Sequence, residues 1–205
     1  MTLRLFLVRH GETESNRQGL ALGRANVPLN ELGRTQASCV AAALSAESLL
    51  AVYASPLQRT VDTAKPIAEA QRLEVELEPA FIEMDIGEVE GLTFADLRAR
   101  YPQLLETWFS ARGPQSAMPG GECLLDVQQR ATKAIHSLAA HHEEGAVCVV
   151  THNFVILSIL TDVLTIDLAA FRRLRHAVGA ITTLELRPGR RTRILRLNDT
   201  CHLRD

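Results

Sequence analysis

The residues whose types are best suited to catalysis are Arg9 and His10, which lie where the first predicted strand ends. Residues 3–8 form a short apolar run bounded by polar residues and glycine, a pattern typical of a buried strand. Reactive side chains in open α/β sheets collect at the carboxyl ends of the strands. An imidazole beside a guanidinium at such a place is suited to attack or hold an anion.

Three further chemically capable residues follow other predicted strands. Arg59 comes soon after the second strand, Glu83 lies in the loop after the third, and His152 directly follows a later, unbroken apolar run. Because the carboxyl ends of parallel strands share one edge of a sheet, we expect these side chains to converge there with Arg9 and His10.

The chemistry that suits this set is phosphoryl transfer. Guanidiniums bind a phosphate dianion in bidentate fashion and keep their charge. A neutral imidazole nitrogen is a competent nucleophile, and the charges of Arg9 and Arg59 should disfavour the imidazolium form of His10. Glu83 can protonate the departing alcohol oxygen. The reaction then depends on positioning and charge stabilisation, with no cofactor or metal required.

The amino-acid composition limits which classes of protein and which partners are expected. The chain has 205 residues, 46% of them hydrophobic and 22% charged, which suits a single domain over residues 1–205. A net charge of −2 and few aromatic residues disfavour nucleic acid as a partner. No apolar run predicts a signal peptide or a membrane span. We therefore expect a cytoplasmic protein whose partner is a small molecule.

Four cysteines are present, without the spacing of a metal site or of a disulfide framework. We expect reduced, mostly buried thiols.

Strand and helix patterns alternate along the first half of the chain. We expect helices that begin at Asn30, Pro56 and Asn153, the first and last with a side-chain cap. The last residues predict a hairpin of strands over 180–186 and 192–197. The expected fold is a largely parallel sheet with helices on both faces and at least one antiparallel edge strand.

Residues 92–121 are less regular than the rest. They contain two short helical patches, near 94–100 and 104–111, followed by a Pro119-Gly120-Gly121 turn.

The chain resembles the histidine phosphatase superfamily, in its phosphoglycerate-mutase-like branch, over nearly its whole length. The opening motif alone is not specific, but the combined set is. The matching segments are Arg9-His10-Gly11-Glu12-Thr13 with Asn16, Gly23, Pro28-Leu29, Gly33 with Gln36-Ala37, Ser55-Pro56-Leu57-Gln58-Arg59-Thr60 with Thr63-Ala64, Glu83 with Gly87-Glu88 and Glu90-Gly91, Pro119-Gly120-Gly121-Glu122 and His152. The resemblance implies a three-layer α/β/α sandwich with a mixed sheet and a metal-independent enzyme.

The resemblance also implies roles for individual residues. His10 becomes transiently phosphorylated, and Glu83 protonates the leaving group and then activates the hydrolytic water. Residues 92–121 correspond to the segment that covers the pocket in relatives. The residues that would hold the phosphoryl group are Arg9, Arg59, His152 and Asn16.

Two departures from the family pattern concern the substrate. Leu22 precedes Gly23, where relatives often carry a polar residue, which predicts a more apolar pocket rim. Asn153 replaces a frequent small residue after the second histidine, so its amide is predicted to cap the helix or contact substrate. Leu22, Gly23 and Asn153 are therefore candidate substrate contacts along with Asn16.

Three functions are compatible with these motifs. A phosphatase acting on a small phosphorylated metabolite is favoured. A phosphoglycerate mutase would be expected to carry a basic, proline-rich insertion between Glu83 and His152, and none is visible. A non-catalytic phosphate-binding module is disfavoured, because the nucleophile and both arginines are retained. The identity of the phosphate ester stays open, as does the oligomeric state, with a homodimer among the options.

Overall fold

The computed structural model describes residues 2–187, 189 and 191–203. Within them, the chain forms one sheet of six strands in the order β3-β2-β4-β1-β5-β6. The strands are β1 (Leu3–Arg9), β2 (Ala51–Ala54), β3 (Val75–Leu77), β4 (Gly145–Thr151), β5 (Ile181–Leu186) and β6 (Arg193–Asp199).

The first four strands of this order run parallel, and the last two form an antiparallel hairpin at one edge. β1 pairs with β4 in parallel, with Leu3 opposite Gly145 and Arg9 opposite Thr151. β5 runs antiparallel to β1, and β6 runs antiparallel to β5. The predicted mixed sheet with an antiparallel edge is confirmed. The carboxyl ends of β1, β2 and β4 lie side by side, which brings the segments after them together.

Seven α-helices lie within the described residues. They are α1 (Glu14–Gln18), α2 (Glu31–Leu44), α3 (Gln58–Gln71), α4 (Phe94–Arg100), α5 (Pro102–Phe109), α6 (Leu124–His141) and α7 (Asn153–Val163).

The helices cover both faces of the sheet. Because side chains alternate along β1, Leu5 and Leu7 pack with α6 and α7, whereas Phe6 and Val8 pack with α2 and α3. The central strand β4 is buried on both faces from Ala146 onward. The predicted three-layer α/β/α arrangement is confirmed.

Three predicted helix starts can be compared with the structure. Asn30 is the N-cap of α2, and its side chain accepts a hydrogen bond from the Gly33 N–H. Pro56 does not open α3: that helix begins at Gln58 because Leu57 keeps an extended backbone, with ψ of 141°. Asn153 does not cap α7 but is its first residue, since the preceding His152 has the extended N-cap conformation.

The segment between the third strand and α6 carries the least regular structure. The helical patch predicted at 94–100 is α4, and the one predicted at 104–111 is shifted to α5, which Pro102 begins. Proline suits that first helical position because its missing N–H has no intrahelical partner there.

The four cysteines are free, but only Cys123 and Cys148 are buried, whereas Cys39 is partly exposed and Cys201 exposed. Among the described residues, no group of three or more His, Cys, Asp or Glu side chains is arranged to hold a metal ion. No helix in the described part of the chain has the length and apolar character needed to cross a membrane.

Candidate active site

His10 follows the last residue of β1 and is held at the edge of the sheet. Its backbone N–H donates to the Thr151 carbonyl at 3.0 Å, which ties it to the end of β4. Its ring is only 2% exposed, and Nδ1 lies 2.7 Å from the Gly11 carbonyl oxygen. A carbonyl can only accept, so Nδ1 carries the proton and Nε2 keeps its lone pair. That lone pair is available for the nucleophilic role that the sequence predicts for His10.

The lack of a side chain at Gly11 allows the first turn of α2 to pack against the backbone next to His10. A Cβ at Gly11 would approach the Gly33 carbonyl oxygen to 2.3 Å. The Gly11 N–H donates to the Thr63 hydroxyl at 3.0 Å, so α3 also supports this turn. Glycine is therefore required at this position by a close approach of two backbone segments.

Arg59 lies in the first turn of α3 and is completely buried. Its Nε donates to His10 Nε2 at 3.3 Å, which again requires that nitrogen to be unprotonated. Its Nη2 and Nη1 donate to the carbonyls of Gly23 and Ala25, at 2.6 and 2.8 Å. Burial lowers the pKa of Arg59 to about 10, so it stays charged at neutral pH. The predicted pairing of Arg59 with His10 is present.

Arg9 is the last residue of β1, and its guanidinium is held by the first residue of α7 and by the loop before β5. Its Nη1 donates to the Asn153 side-chain oxygen at 3.2 Å and to the His176 carbonyl at 2.5 Å. Asn153 therefore orients Arg9 instead of capping α7. Burial lowers the pKa of Arg9, and the nearby Glu83 carboxyl opposes that shift.

His152 packs edge-on against His10, with ring centroids 5.2 Å apart. Its Nε2 lies 2.7 Å from the Ser55 hydroxyl oxygen. Its Nδ1 is buried and finds no hydrogen-bond partner among the described residues. An unpaired buried nitrogen beside the nucleophile is suited to bind a substrate atom, because burial without a partner is costly.

Glu83 is 3% exposed and lies in the loop after β3. Its Oε1 accepts from the Met84 N–H at 2.8 Å, and its Oε2 accepts from the Phe154 N–H at 3.3 Å. Burial raises the pKa of Glu83, although these hydrogen bonds and the charge of Arg59 oppose the shift. A raised pKa shifts this carboxyl toward the protonated form, which is the form that can donate a proton.

The backbone of Glu83 is held by two arginines that the sequence did not single out. Arg24 Nε and Arg130 Nη2 both donate to the Glu83 carbonyl, each at 3.2 Å. Both guanidiniums also pair with the Glu122 carboxylate, at 3.0 and 2.9 Å. Glu122 belongs to the Pro-Gly-Gly-Glu segment, so one residue of this arrangement lay within a motif matched from the sequence, although its role did not follow from the motif.

The two active-site histidines share one electrostatic environment. Burial is the largest cause that lowers the pKa of His10 and of His152 well below the usual range, and the charge of Arg59 is the next. The sequence predicted the neutral state of His10 from the two arginines, and burial proves to be the greater cause. Both rings are therefore neutral at physiological pH.

The remaining predicted contacts differ in what they offer to a substrate. Asn16 uses its side-chain oxygen to accept from the Thr13 N–H and hydroxyl in a capping box at the start of α1. Gly23 contributes its carbonyl to Arg59. Leu22 lines an apolar cavity of about 220 Å³ together with side chains from residues 92–121.

Sequence reasoning missed three residues that complete the arrangement. Ser55 and Thr63 belong to the motif around Arg59, so a signal for them was present. His176 acts through its backbone carbonyl, and a backbone contact leaves no trace in residue type. Its ring, which hydrogen-bonds the Thr182 hydroxyl at 2.9 Å, is also buried.

Comparison with known proteins identifies the family. The family model named "Histidine phosphatase superfamily (branch 1)" matches residues 5–200. The chain belongs to the histidine phosphatase superfamily. It is 34% identical to "Phosphoserine phosphatase 1" of Hydrogenobacter thermophilus, over 98% of this chain and 94% of that protein. Several mycobacterial relatives are longer, and this chain spans 55% of their length.

Solved structures show the same fold. The structure of Bacillus stearothermophilus YhfR has a TM-score of 0.91 and 28% identity, covering 98% of this chain and 100% of the other. A phosphoserine phosphatase of Entamoeba histolytica bound to phosphoserine has a TM-score of 0.89 and 26% identity, covering 98% and 99%. The predicted family, its fold and the class of phosphoric monoester hydrolase are confirmed.

Proposed function

We propose that this protein hydrolyses a small phosphate monoester through a phosphohistidine on His10. The observation that carries the proposal is the protonation pattern of the site. His10 presents an unprotonated Nε2 beside the charged Arg59, and burial raises the pKa of Glu83, which shifts it toward the protonated form. A nucleophile and an acid in these opposite states are what the cleavage of a phosphate ester requires.

In the first step, the lone pair of His10 Nε2 attacks phosphorus. The P–N bond forms, the bond from phosphorus to the alcohol oxygen breaks, and Glu83 gives its proton to that oxygen. Arg59, Arg9 and His152 stabilise the charge on the transferring phosphoryl group. For His152 the donor would be Nδ1–H, because the Ser55 hydroxyl can donate to Nε2. Asn16 retains an amide nitrogen to donate.

In the second step, the Glu83 carboxylate takes a proton from water, and the water oxygen attacks phosphorus. The P–N bond breaks and its electron pair returns to His10 Nε2, which restores the starting state. The chain's own residues supply the nucleophile, the acid and base, and the charge stabilisation.

The proposal is tested with para-nitrophenyl phosphate in the presence of a metal chelator. We expect turnover that survives chelation, and a loss of at least about 10³-fold in His10→Ala because the covalent step is removed. The matched control is His136→Ala, which removes an exposed histidine of α6. Unchanged turnover in His10→Ala would contradict the proposal. A base-stable, acid-labile phosphoenzyme should form with His10 and be absent from the variant.

The mutase alternative is separated by the products of 3-phosphoglycerate. A phosphatase releases inorganic phosphate, whereas a mutase interconverts the 2- and 3-isomers when 2,3-bisphosphoglycerate is added. Phosphate release without isomerisation is the expected result for any 3-phosphoglycerate turned over, and clean isomerisation would support the mutase.

A further inference from the structure

An apolar cavity of about 220 Å³ adjoins the proposed reaction centre. Twelve residues line it, and none of them carries a charge. They come from the loop before Gly23, from the segment after Glu83, from residues 92–121 and from the start of α7. Those on which the argument depends are Leu22, Phe94, Trp108, Phe109 and Phe154.

The cavity wall is joined directly to the groups that would hold and protonate the substrate. Leu22 precedes Gly23, whose carbonyl accepts from Arg59 Nη2 at 2.6 Å. On the other side, the Phe154 N–H donates to Glu83 Oε2 at 3.3 Å. Leu22 and Phe154 therefore place two parts of the cavity wall next to the groups that would bind and protonate the substrate.

The outer rim of the cavity leaves large apolar side chains in contact with water. Phe94 is 49% exposed and Phe109 is 55% exposed, although both line the cavity. Trp108 is held more firmly, packing edge-on against Phe154 and Phe171 at 5.9 and 5.5 Å between ring centroids. Half-exposed aromatic residues around a concave site are typical of a surface that an apolar ligand covers.

The arginines next to the cavity are not among its lining residues. Arg24 pairs with the Asp85 and Glu122 carboxylates. Arg98 and Arg172 stack over the Phe94 and Phe109 rings at 5.2 and 5.9 Å. Their charges therefore lie outside the wall of the cavity. A carboxylate that entered the cavity would lose its hydration without gaining a cation from the wall, which is unfavourable.

We propose that this cavity receives the alcohol portion of the substrate and selects phosphate monoesters of uncharged, apolar alcohols over esters that carry a carboxylate. The proposal rests on the proposed function and defines its substrate class. It distinguishes this chain from the relatives named phosphoserine phosphatases, since phosphoserine carries a carboxylate and an ammonium group.

The test is a series of esters matched in the chemistry of their leaving group. Methyl, ethyl and butyl phosphate are compared by kcat/KM, together with the phosphate ester of 4-hydroxybutanoate and with phosphoserine. We expect kcat/KM to rise by up to about fourfold per methylene, as for a methylene buried from water. The ester that ends in a carboxylate should fall at least about tenfold below butyl phosphate, because its charge is desolvated without a partner.

A single truncation at the rim locates the effect. Phe94→Ala should lower kcat/KM for butyl phosphate by about fivefold, which corresponds to the loss of slightly more than one buried methylene group. Its effect on methyl phosphate should be smaller, since a methyl group can contact less of the cavity wall than a butyl group. The matched control is Leu32→Ala, which removes a side chain of α2 that is 51% exposed and remote from the cavity lining.

The outcomes separate this inference from the proposed function. If no ester in the series is hydrolysed, the proposed function fails. If esters are hydrolysed but kcat/KM is flat along the series, or phosphoserine is preferred to butyl phosphate, the inference on substrate class is overturned and the proposed function stands. Equal effects of Phe94→Ala on methyl and butyl phosphate would also overturn it.

Discussion

The protonation states of His10 and Glu83 are set by burial, and the two residues respond to it in opposite directions. Removal from water disfavours the charged form of any group, so it lowers the pKa of the imidazole and raises the pKa of the carboxyl. The arginines assist at His10 but oppose the shift at Glu83. Burial thus shifts His10 toward its neutral form and Glu83 toward its protonated form within one site.

Glu83→Gln tests the acid at the scale of one residue. Glutamine keeps a similar shape but cannot transfer the proton, so kcat for an alkyl phosphate should fall by about 10²- to 10⁴-fold. The loss should be smaller with para-nitrophenyl phosphate, whose leaving group departs without a proton.

The pH profile adds a second readout. Activity of the native protein should fall at high pH as Glu83 ionises and at low pH as His10 protonates, and the high-pH limb should disappear in the variant. Glu106→Gln, on the exposed face of α5, is the matched control. The role of Glu83 as the acid would be refuted if kcat of Glu83→Gln fell equally with both substrates and the activity of this variant still decreased at high pH.

At the scale of elements, the loop of Glu83 depends on a contact between two turns. The Glu88 N–H donates to the Pro119 carbonyl at 2.8 Å, and Gly87 lies against the same turn with φ of +53°. A Cβ at Gly87 would come within 2.1 Å of the Pro119 carbonyl oxygen. Backbone packing of this closeness couples the acid loop to the beginning of α6.

Gly87→Ala should therefore disturb both folding and catalysis. We expect the free energy of unfolding to fall by more than the roughly 1–2 kcal/mol that a left-handed backbone costs a residue with a Cβ. The kcat should fall as well, because the Glu83 loop must shift. Gly91→Ala is the matched control, since Gly91 has φ of +76° and a Cβ added there would meet open space. Equal losses in the two variants, measured by denaturant titration, would refute the packing argument.

At the scale of the whole molecule, three buried histidines link stability to pH. Burial lowers the pKa of His10, His152 and His176 in the folded protein, that of His176 to about 4, from an ordinary value of 6.5. Below pH 6.5 the unfolded chain binds protons that the folded protein does not, so stability is lost as pH falls. Glu83 opposes this change, because its pKa is raised on folding.

Stability should accordingly decrease between pH 7 and pH 5. Each histidine contributes a loss of about 1.4 kcal/mol per pH unit in the range between its folded and unfolded pKa values. In His176→Gln the slope of unfolding free energy against pH should decrease by about 1.4 kcal/mol per pH unit, which corresponds to one bound proton. Denaturant titrations across this pH range measure the slope. Leu32→Ala, which truncates an exposed side chain that binds no proton, should leave the slope unchanged. A slope in His176→Gln identical to that of the native protein would contradict this assignment.

Much of the fold could be predicted because its signals are local. The apolar runs of β1 and β4 and the capping pattern at Asn30 each determine an element within a few residues. The errors arose where a local pattern competes with a distant contact. Asn153 has a residue type that favours a helix cap, but its side chain is drawn to Arg9, which lies 144 positions away in the chain.

The sequence by itself determined which residues could do the chemistry and, through the order of strands, that they would meet at one edge of a sheet. Only the tertiary structure decided their protonation states, because these depend on burial and on neighbours from distant segments. It also decided that side chains of residues 92–121 line an uncharged cavity together with Leu22 and Phe154, since a cavity is formed by the packing of several elements.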